Sequence, residues 1–304
     1  MPSIIVPARN HPQFTATCLG SILFSVSRLN LKCEFILIDD ASDPDERLLD
    51  VFRDHRAKAV GHSCKIIRSN KHQHYSGVFS IGLNNATRDL IFFISNDMVT
   101  TTSFFEAQLL VSSLSREIGI VRGTSSYTDS HPEYQIAPPE RPKTYQDIDT
   151  FSRQQFNTHT CAYAEDRILS GDAILLKREL VERIGVLDLR FFGYFGDVDY
   201  GMRAQLAGFK MVCAKGAWLY HEGAGHLVGE IQAKKVEYSE LHKRRMALVE
   251  AAYQQFRAKW HLQGPAAWEV HQTVDFVAKA KANADRVALK YDFPKSTNDD
   301  LEFH

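Results

Sequence analysis

Short apolar runs of strand length alternate with segments of helical periodicity along the first third of the chain. Ser3-Ile4-Ile5-Val6, Phe35-Ile36-Leu37-Ile38, Cys64-Lys65-Ile66-Ile67 and Leu90-Ile91-Phe92-Phe93-Ile94 are the runs. The last has no polar alternation, which predicts a strand covered on both faces. Between the runs, Phe14, Cys18, Leu19, Ile22, Leu23, Val26 and Leu29 follow helical spacing. Leu48, Leu49 and Phe52 mark a second helix and Val78 to Ala86 a third, while Asn10 is expected to cap the first, with Pro12 in its opening turn. Four strands alternating with three helices imply a parallel sheet with right-handed crossovers. Three of the strands release polar residues at one edge: Pro7-Ala8-Arg9-Asn10, Asp39-Asp40 and Ser95-Asn96-Asp97. That carboxyl edge is where open α/β sheets bind ligands. A carboxylate there can hold a divalent cation, and the cation a nucleotide diphosphate. Taken alone, Asn96-Asp97 reads equally well as a turn or a helix cap.

Beyond a helix at Phe104–Leu114 and a strand at Ile118–Val121 the pattern changes. Residues 123–166 are polar, rich in Pro, Tyr, Thr and His, and show no clear period, which predicts a functional lid or binding loop. The sheet resumes over Ile168–Leu176, followed by a short helix at Glu179–Ile184 and an aromatic, Gly-punctuated loop from Arg190 to Asp199. Tyr200–Ala207 reads as a helix, and Phe209–Cys213 and Ala217–Tyr220 as two short strands ahead of His221. An amphipathic helix from about Ile231 to His261 is broken by Gly264-Pro265. A second helix is expected to run to about Lys290, ahead of a polar, frayed tail.

Composition narrows the class. The 304 residues are 44% hydrophobic, enough for a sizeable core, and the formal charge of −1 leaves no electrostatic footprint for nucleic acid. Five scattered cysteines without a C-x-x-C pair read as reduced apolar fillers in a cytoplasmic protein. The chain opens directly on a strand, so no secretory signal is expected; a start this tight also suits one domain of a longer protein. No apolar segment approaches the roughly 20 residues that span a bilayer.

Several stretches line up in order with one family: SIIVPARNHPQFTATCLGSIL, FILIDDASDPD, LIFFISNDMV, LSGDAILLKRELVERIGVLDLRFFGYFGDVDYGMRAQLAGFK, WLYHEGAG and FRAKW. On them the chain resembles the inverting family 2 glycosyltransferases of the GT-A fold, most of all the bacterial rhamnosyltransferase-like branch that builds surface polysaccharides. The resemblance implies an α/β, Rossmann-like, mostly parallel central sheet flanked by helices, with a C-terminal helical extension. Residues 1–228 would be the transferase domain, with 1–122 the nucleotide half and 123–228 the acceptor half, and residues 229–304 the extension. It also implies roles. Pro7, Arg9 and Asn10 would line the nucleotide and Asp40 would read the base. Asn96-Asp97 would take the place of the metal motif, with Asn96 toward the nucleotide, Asp97 on Mg²⁺ or Mn²⁺, and His221 on the metal or diphosphate. Asp197 would be the general base. Three positions depart from the family pattern: Met98 stands where a second acid is usual, Gly196 where a Glu precedes the base, and Ser80-Ile81 where many members carry Arg-Asn.

Each role has a plainer counterpart. Asp197 could be an acid satisfying a helix N-terminus, Asp199 is the better candidate for that, and Arg9 could be a solvated surface group. Phe191, Phe192, Tyr194 and Phe195 could stack on a sugar or simply pack. His72, His74, His131 and His159 lack metal-ligand spacing. Lys243-Arg244-Arg245 reads as a solvated helix face, with docking to an anionic bilayer as the alternative. The sequence thus predicts a metal-assisted transferase moving a sugar from a UDP-, GDP- or dTDP-linked donor to a saccharide or lipid-linked acceptor. Peripheral membrane association and an oligomer through the C-terminal helices stay open. The rival readings are a catalytically degenerate nucleotide- or sugar-binding module and a sugar-phosphate nucleotidyltransferase.

Overall fold

The computed structural model describes residues 1–128, 132–166, 168–221, 238–263 and 273–304. The first four strands are β1 (Ser3–Ala8), β2 (Glu34–Asp40), β3 (Ser63–Ser69) and β4 (Leu90–Ile94). They are all parallel, in the order β3-β2-β1-β4, and are connected by α1 (Pro12–Arg28), α2 (Leu48–Lys58) and α3 (His74–Asn85). Their apolar runs are double-sided, as the lack of alternation predicts. Phe35 and Leu37 enter one core with α1, α2 and the helix α4 (Thr102–Ser113), while Ile36 and Ile38 enter a second core with α3.

Past β4 the sheet becomes mixed. β8 (Ala173–Lys177) runs antiparallel to β4 and to β6 (Ile118–Ser125), which pairs in parallel with the long β9 (Lys210–His221). Two short strands, β5 (Met98–Val99) and β7 (Tyr163–Glu165), pair antiparallel with β9. The second core also receives α6 (Arg178–Ile184) and α7 (Gly196–Leu206).

The structure corrects several expectations. Residues 123–166 are not without regular structure: among those described they hold α5 (Tyr145–His159), started by a capping box between Thr144 and Asp147, and β7. The helix escaped notice because its buried side, Ile148, Asp149 and Ser152, is mostly polar. The two strands expected around Ala214-Lys215-Gly216 are one, β9, whose register with β6 shifts between Arg122 and Thr124. Asn10 does not cap α1; His11 holds the N-cap position without a side-chain bond.

The amphipathic C-terminal helix is described as α8 (Tyr238–Trp260), and its expected start and the Gly264-Pro265 break lie outside the described residues. The following helix, α9 (Thr273–Lys281), ends before Lys290. The tail is not frayed: β10 (Leu301–Phe303) pairs antiparallel with β3 at the sheet edge. Val249, Ala252, Tyr253, Phe256 and Trp260 of α8 pack against Phe191, Phe195 and Met202, so the helix spends its apolar side within the chain. No helix among the described residues is long and apolar enough to cross a membrane.

Candidate active site

The strand ends meet at one edge, and strained backbone marks it. Asn10, His11, Ala41, His74 and Phe195 all have positive φ, between 53° and 63°, although none is glycine. Such residues persist where the surroundings over-determine them, and they cluster at functional sites.

Around the ends of β1, β2 and β3 the polar groups are tied to one another. Asn10 exchanges bonds with Asp43, its Nδ2 donating at 3.1 Å and its Oδ1 accepting the Asp43 amide at 2.8 Å. Its own amide donates to Ser42 Oγ at 2.9 Å. Asp39, fully buried, accepts the Ser42 amide and pairs with Arg68. Asp40 accepts the Gln73 amide on Oδ1 at 2.6 Å and meets His72 Nδ1 on Oδ2 at 2.7 Å. Beside it, the His72 and His74 rings lie 3.8 Å apart and Phe192 follows at 5.5 Å from His74. Burial, then the charge of His72, lowers the His74 pKa, and Arg9 contributes in the same sense. Arg9 is exposed and Pro7 half-buried on the same edge. The sequence reading missed Arg68, His72 and His74. Their signal was their place after β3, since ligand spacing alone dismissed the histidines.

The second cluster is assembled by register. Met98 lies opposite His221 in the β5–β9 pair, which brings Asp97 Oδ2 to 3.3 Å from His221 Nε2, while His221 Nδ1 sits 3.0 Å from the Tyr127 carbonyl. Burial by itself lowers the His221 pKa, but the hydrogen bond and charge of Asp97, then the charge of Asp172, raise it to about 9. Asn96 Nδ2 donates to Thr15 Oγ1 of α1 at 2.9 Å. Met98 is buried in the main core.

Asp172 is the residue the sequence reading left out, although it stands in the quoted stretch LSGDAILL. The antiparallel partner of Ile94 is Ala173, so Asp172 falls beside Ser95, whose amide donates to its carbonyl at 2.8 Å. Asp172 Oδ2 accepts from Ser170 at 3.0 Å, and with His221 it lines a small polar cavity.

Asp197 lies in the first turn of α7, its Oδ1 accepting the Val198 amide at 2.9 Å. Burial pushes its pKa up to about 6, and the Asp172 charge adds to the rise while the Val198 hydrogen bond opposes it. Tyr75, half-buried, donates to the Gly171 carbonyl at 3.2 Å. A Cβ at Gly171 would stand 1.6 Å from the Tyr75 hydroxyl oxygen and 3.6 Å from the Asp197 Cβ, so glycine is what lets these three meet. The departure at Gly196 has a local cause: a Cβ there would meet Ser76 Oγ of α3 at 2.2 Å. Ser80 is likewise used, accepting the Leu187 amide at 3.2 Å.

Asp199 is a structural acid. It is fully buried between Arg203 Nε at 2.9 Å, Lys259 Nζ at 2.6 Å and Trp260 Nε1 at 3.0 Å.

The fold is α/β, with a mostly parallel sheet whose carboxyl edge gathers these carboxylates. The model described as Glycosyl transferase family 2 matches residues 3–185, and the chain belongs to that family. A solved mannosyltransferase, PcManGT from Pyrobaculum calidifontis in complex with GDP-Man and Mn²⁺, superposes with a TM-score of 0.55 at 14% identity, over 94% of this chain and 86% of that one. GalNAc-T7 with UDP, GalNAc and Mn²⁺ gives a TM-score of 0.54 at 16% identity, over 73% of this chain and 43% of the other. These likenesses establish the fold, α/β with a GT-A type sheet. Among curated proteins no match is found.

Proposed function

We propose that the protein is an inverting glycosyltransferase that moves a sugar from a nucleoside diphosphate donor to a saccharide or lipid-linked saccharide in surface polysaccharide synthesis. One observation carries the reading: a carboxylate with a raised pKa, Asp197, lies at the same sheet edge as the Asp97–His221 pair, with Asp172 coupled to both. The polysaccharide setting rests on the sequence resemblance.

Asp97 and His221 offer one oxygen and one nitrogen. Among the described residues no group of three His, Cys, Asp or Glu could hold a metal ion. Two protein donors suit Mg²⁺ or Mn²⁺, which keep positions for phosphate oxygens and water. The fit requires His221 to give up the proton it shares with Asp97. When bound, the cation would offset the negative charge gathering on the departing diphosphate.

The remaining roles belong to the chain. Arg9, exposed on this edge, would meet phosphate, and the loops held by Asn10, Asp40 and His72 would seat the nucleoside. Asp197 takes the acceptor hydroxyl proton as that oxygen forms a bond to the anomeric carbon. The bond to the diphosphate oxygen breaks on the opposite side, which inverts the centre. Burial that lifts the pKa to about 6 leaves Asp197 ionised at neutral pH yet more basic than an exposed aspartate.

Calorimetry with UDP, GDP and dTDP, each with and without Mn²⁺, tests the reading on the wild type and Asp97→Ala. One nucleotide binding only with metal, and losing that dependence in Asp97→Ala, is the expected result. Binding indifferent to both metal and Asp97 would remove the metal role. No binding of any of the three would favour a degenerate module.

A further inference from the structure

Resting on that reading of Asp197, we propose that Lys259 and Trp260 at the end of α8 are positioning residues, holding the base in place through Asp199. Asp197 and Asp199 share the first turn of α7, a turn that begins at Phe195 with φ 63°. Three groups converge on the buried Asp199 carboxylate. Arg203 comes from α7 itself, whereas Lys259 and Trp260 come from a segment some sixty residues further on.

The Lys259 ammonium, 2% exposed, does more than neutralise one charge. It also reaches Asp188 Oδ2 at 3.0 Å, and Asp188 in turn holds Arg190 at 2.6 Å. Asp188 opens the loop that leads through Phe191 into α7, and the Phe191 amide donates to its carbonyl at 3.1 Å. Lys259 therefore ties both ends of the 188–199 segment to one point. Arg203 completes the frame by donating to the carbonyls of Ile184, Val186 and Leu289. Phe195 and Phe191 close the same joint against Tyr253, Phe256 and Trp260. The side-chain hydrogen bonds and ion pairs of Lys259 and Trp260 go to Asp188 and Asp199.

A base must be held within a fraction of an ångström of the hydroxyl it serves, and a misplacement of about 1 Å can cost on the order of 10²-fold in rate. The clamp supplies that constraint from the C-terminal segment. Trp260→Phe keeps the aromatic body and removes only the N–H on Asp199. Lys259→Met removes both ion pairs.

The expected result for Trp260→Phe is a kcat about tenfold lower, with KM for donor and acceptor unchanged and wild-type nucleotide affinity by calorimetry. Lys259→Met should lose about 100-fold in kcat. If that variant does not fold, Trp260→Phe alone decides the question. A wild-type kcat in Trp260→Phe, or a loss lying wholly in KM or in the folded fraction, overturns the proposal. Asp197→Asn is assayed in parallel to separate the two claims. An inactive Asp197→Asn beside a fully active Trp260→Phe overturns the positioning alone. An active Asp197→Asn overturns the base reading, and with it the target of the clamp.

Discussion

At the ends of β2 and β3, Asp39 and Asp40 are each met by a basic side chain and a backbone amide, Arg68 with Ser42 and His72 with Gln73. At the start of β8 and of α7, Asp172 accepts from Ser170 and Asp197 from the Val198 amide; no ion pair joins Asp197 among the described residues, and the Asp172 charge adds to the rise of its pKa. The first arrangement stabilises charge and fixes loops. The second leaves Asp197 without an ion pair in a partly dry setting, as a base requires. Molecular stability is thus concentrated in one half of the site and chemical tension in the other.

The sharpest test of that contrast is Asp197→Asn. If Asp197 is the base, transfer falls by about 10²–10⁴-fold while nucleotide binding holds. The sign on stability should be the reverse of the usual loss. The folded pKa, about 6, lies above the ordinary 3.8, so the folded state binds the proton more tightly and loses stability as pH rises through that window. Asn removes the penalty, so the variant should melt higher than the wild type at pH 7 and alike at pH 4. The wild-type rate should climb with pH to a plateau above about 6, because only the ionised carboxylate accepts the proton. A melting point lowered at pH 7, or a flat rate profile between pH 5 and 7, would break the contrast.

How much of this was legible in the sequence follows the same division. The strands of the first half were readable because their runs are short and largely apolar, and Asp39, Asp40 and Asp97 stand at or just past the carboxyl ends of two of them. His221 was flagged by resemblance, but its pairing with Asp97 depends on the Met98–His221 register, which no local pattern records. Asp172 was hidden for a related reason. It precedes a strand that runs antiparallel to β4, so its place at the carboxyl edge of β4 follows only from that reversal. The α5 helix and the β10 strand were missed because a polar buried side and a short edge strand carry little hydrophobic signal.

Arg68→Met probes the satisfied half. It strips the ion pair from Asp39, a fully buried carboxylate that keeps the Ser42 amide as a partner. Removing one member of a buried pair costs about 3 kcal/mol, which should appear as a lower midpoint in urea with the slope unchanged. Set beside a stabilising Asp197→Asn, this gives opposite signs for disturbing carboxylates in the two halves. A cost under about 1 kcal/mol would show that water relaxes Asp39 as readily as a surface group.

The smallest effect expected is at Gly171, where the tension is steric as well as electrostatic. Alanine there would put a methyl carbon 1.6 Å from the Tyr75 hydroxyl oxygen and 2.9 Å from its ring carbon. Tyr75 is enclosed by Phe79 and Phe93, with ring centroids 5.7 Å away in both cases, so its ring has little freedom to yield. Overpacking of this kind costs about 1–3 kcal/mol. Tyr75→Phe in the same chain removes the worse overlap and leaves the 2.9 Å one, so the double variant should recover part of the loss in thermal melting. Recovery shows that the methyl group and the hydroxyl compete for one space beside Asp197. Strictly additive losses would mean that the backbone at Gly171 moves instead, and that the second half of the site is softer than its burial implies.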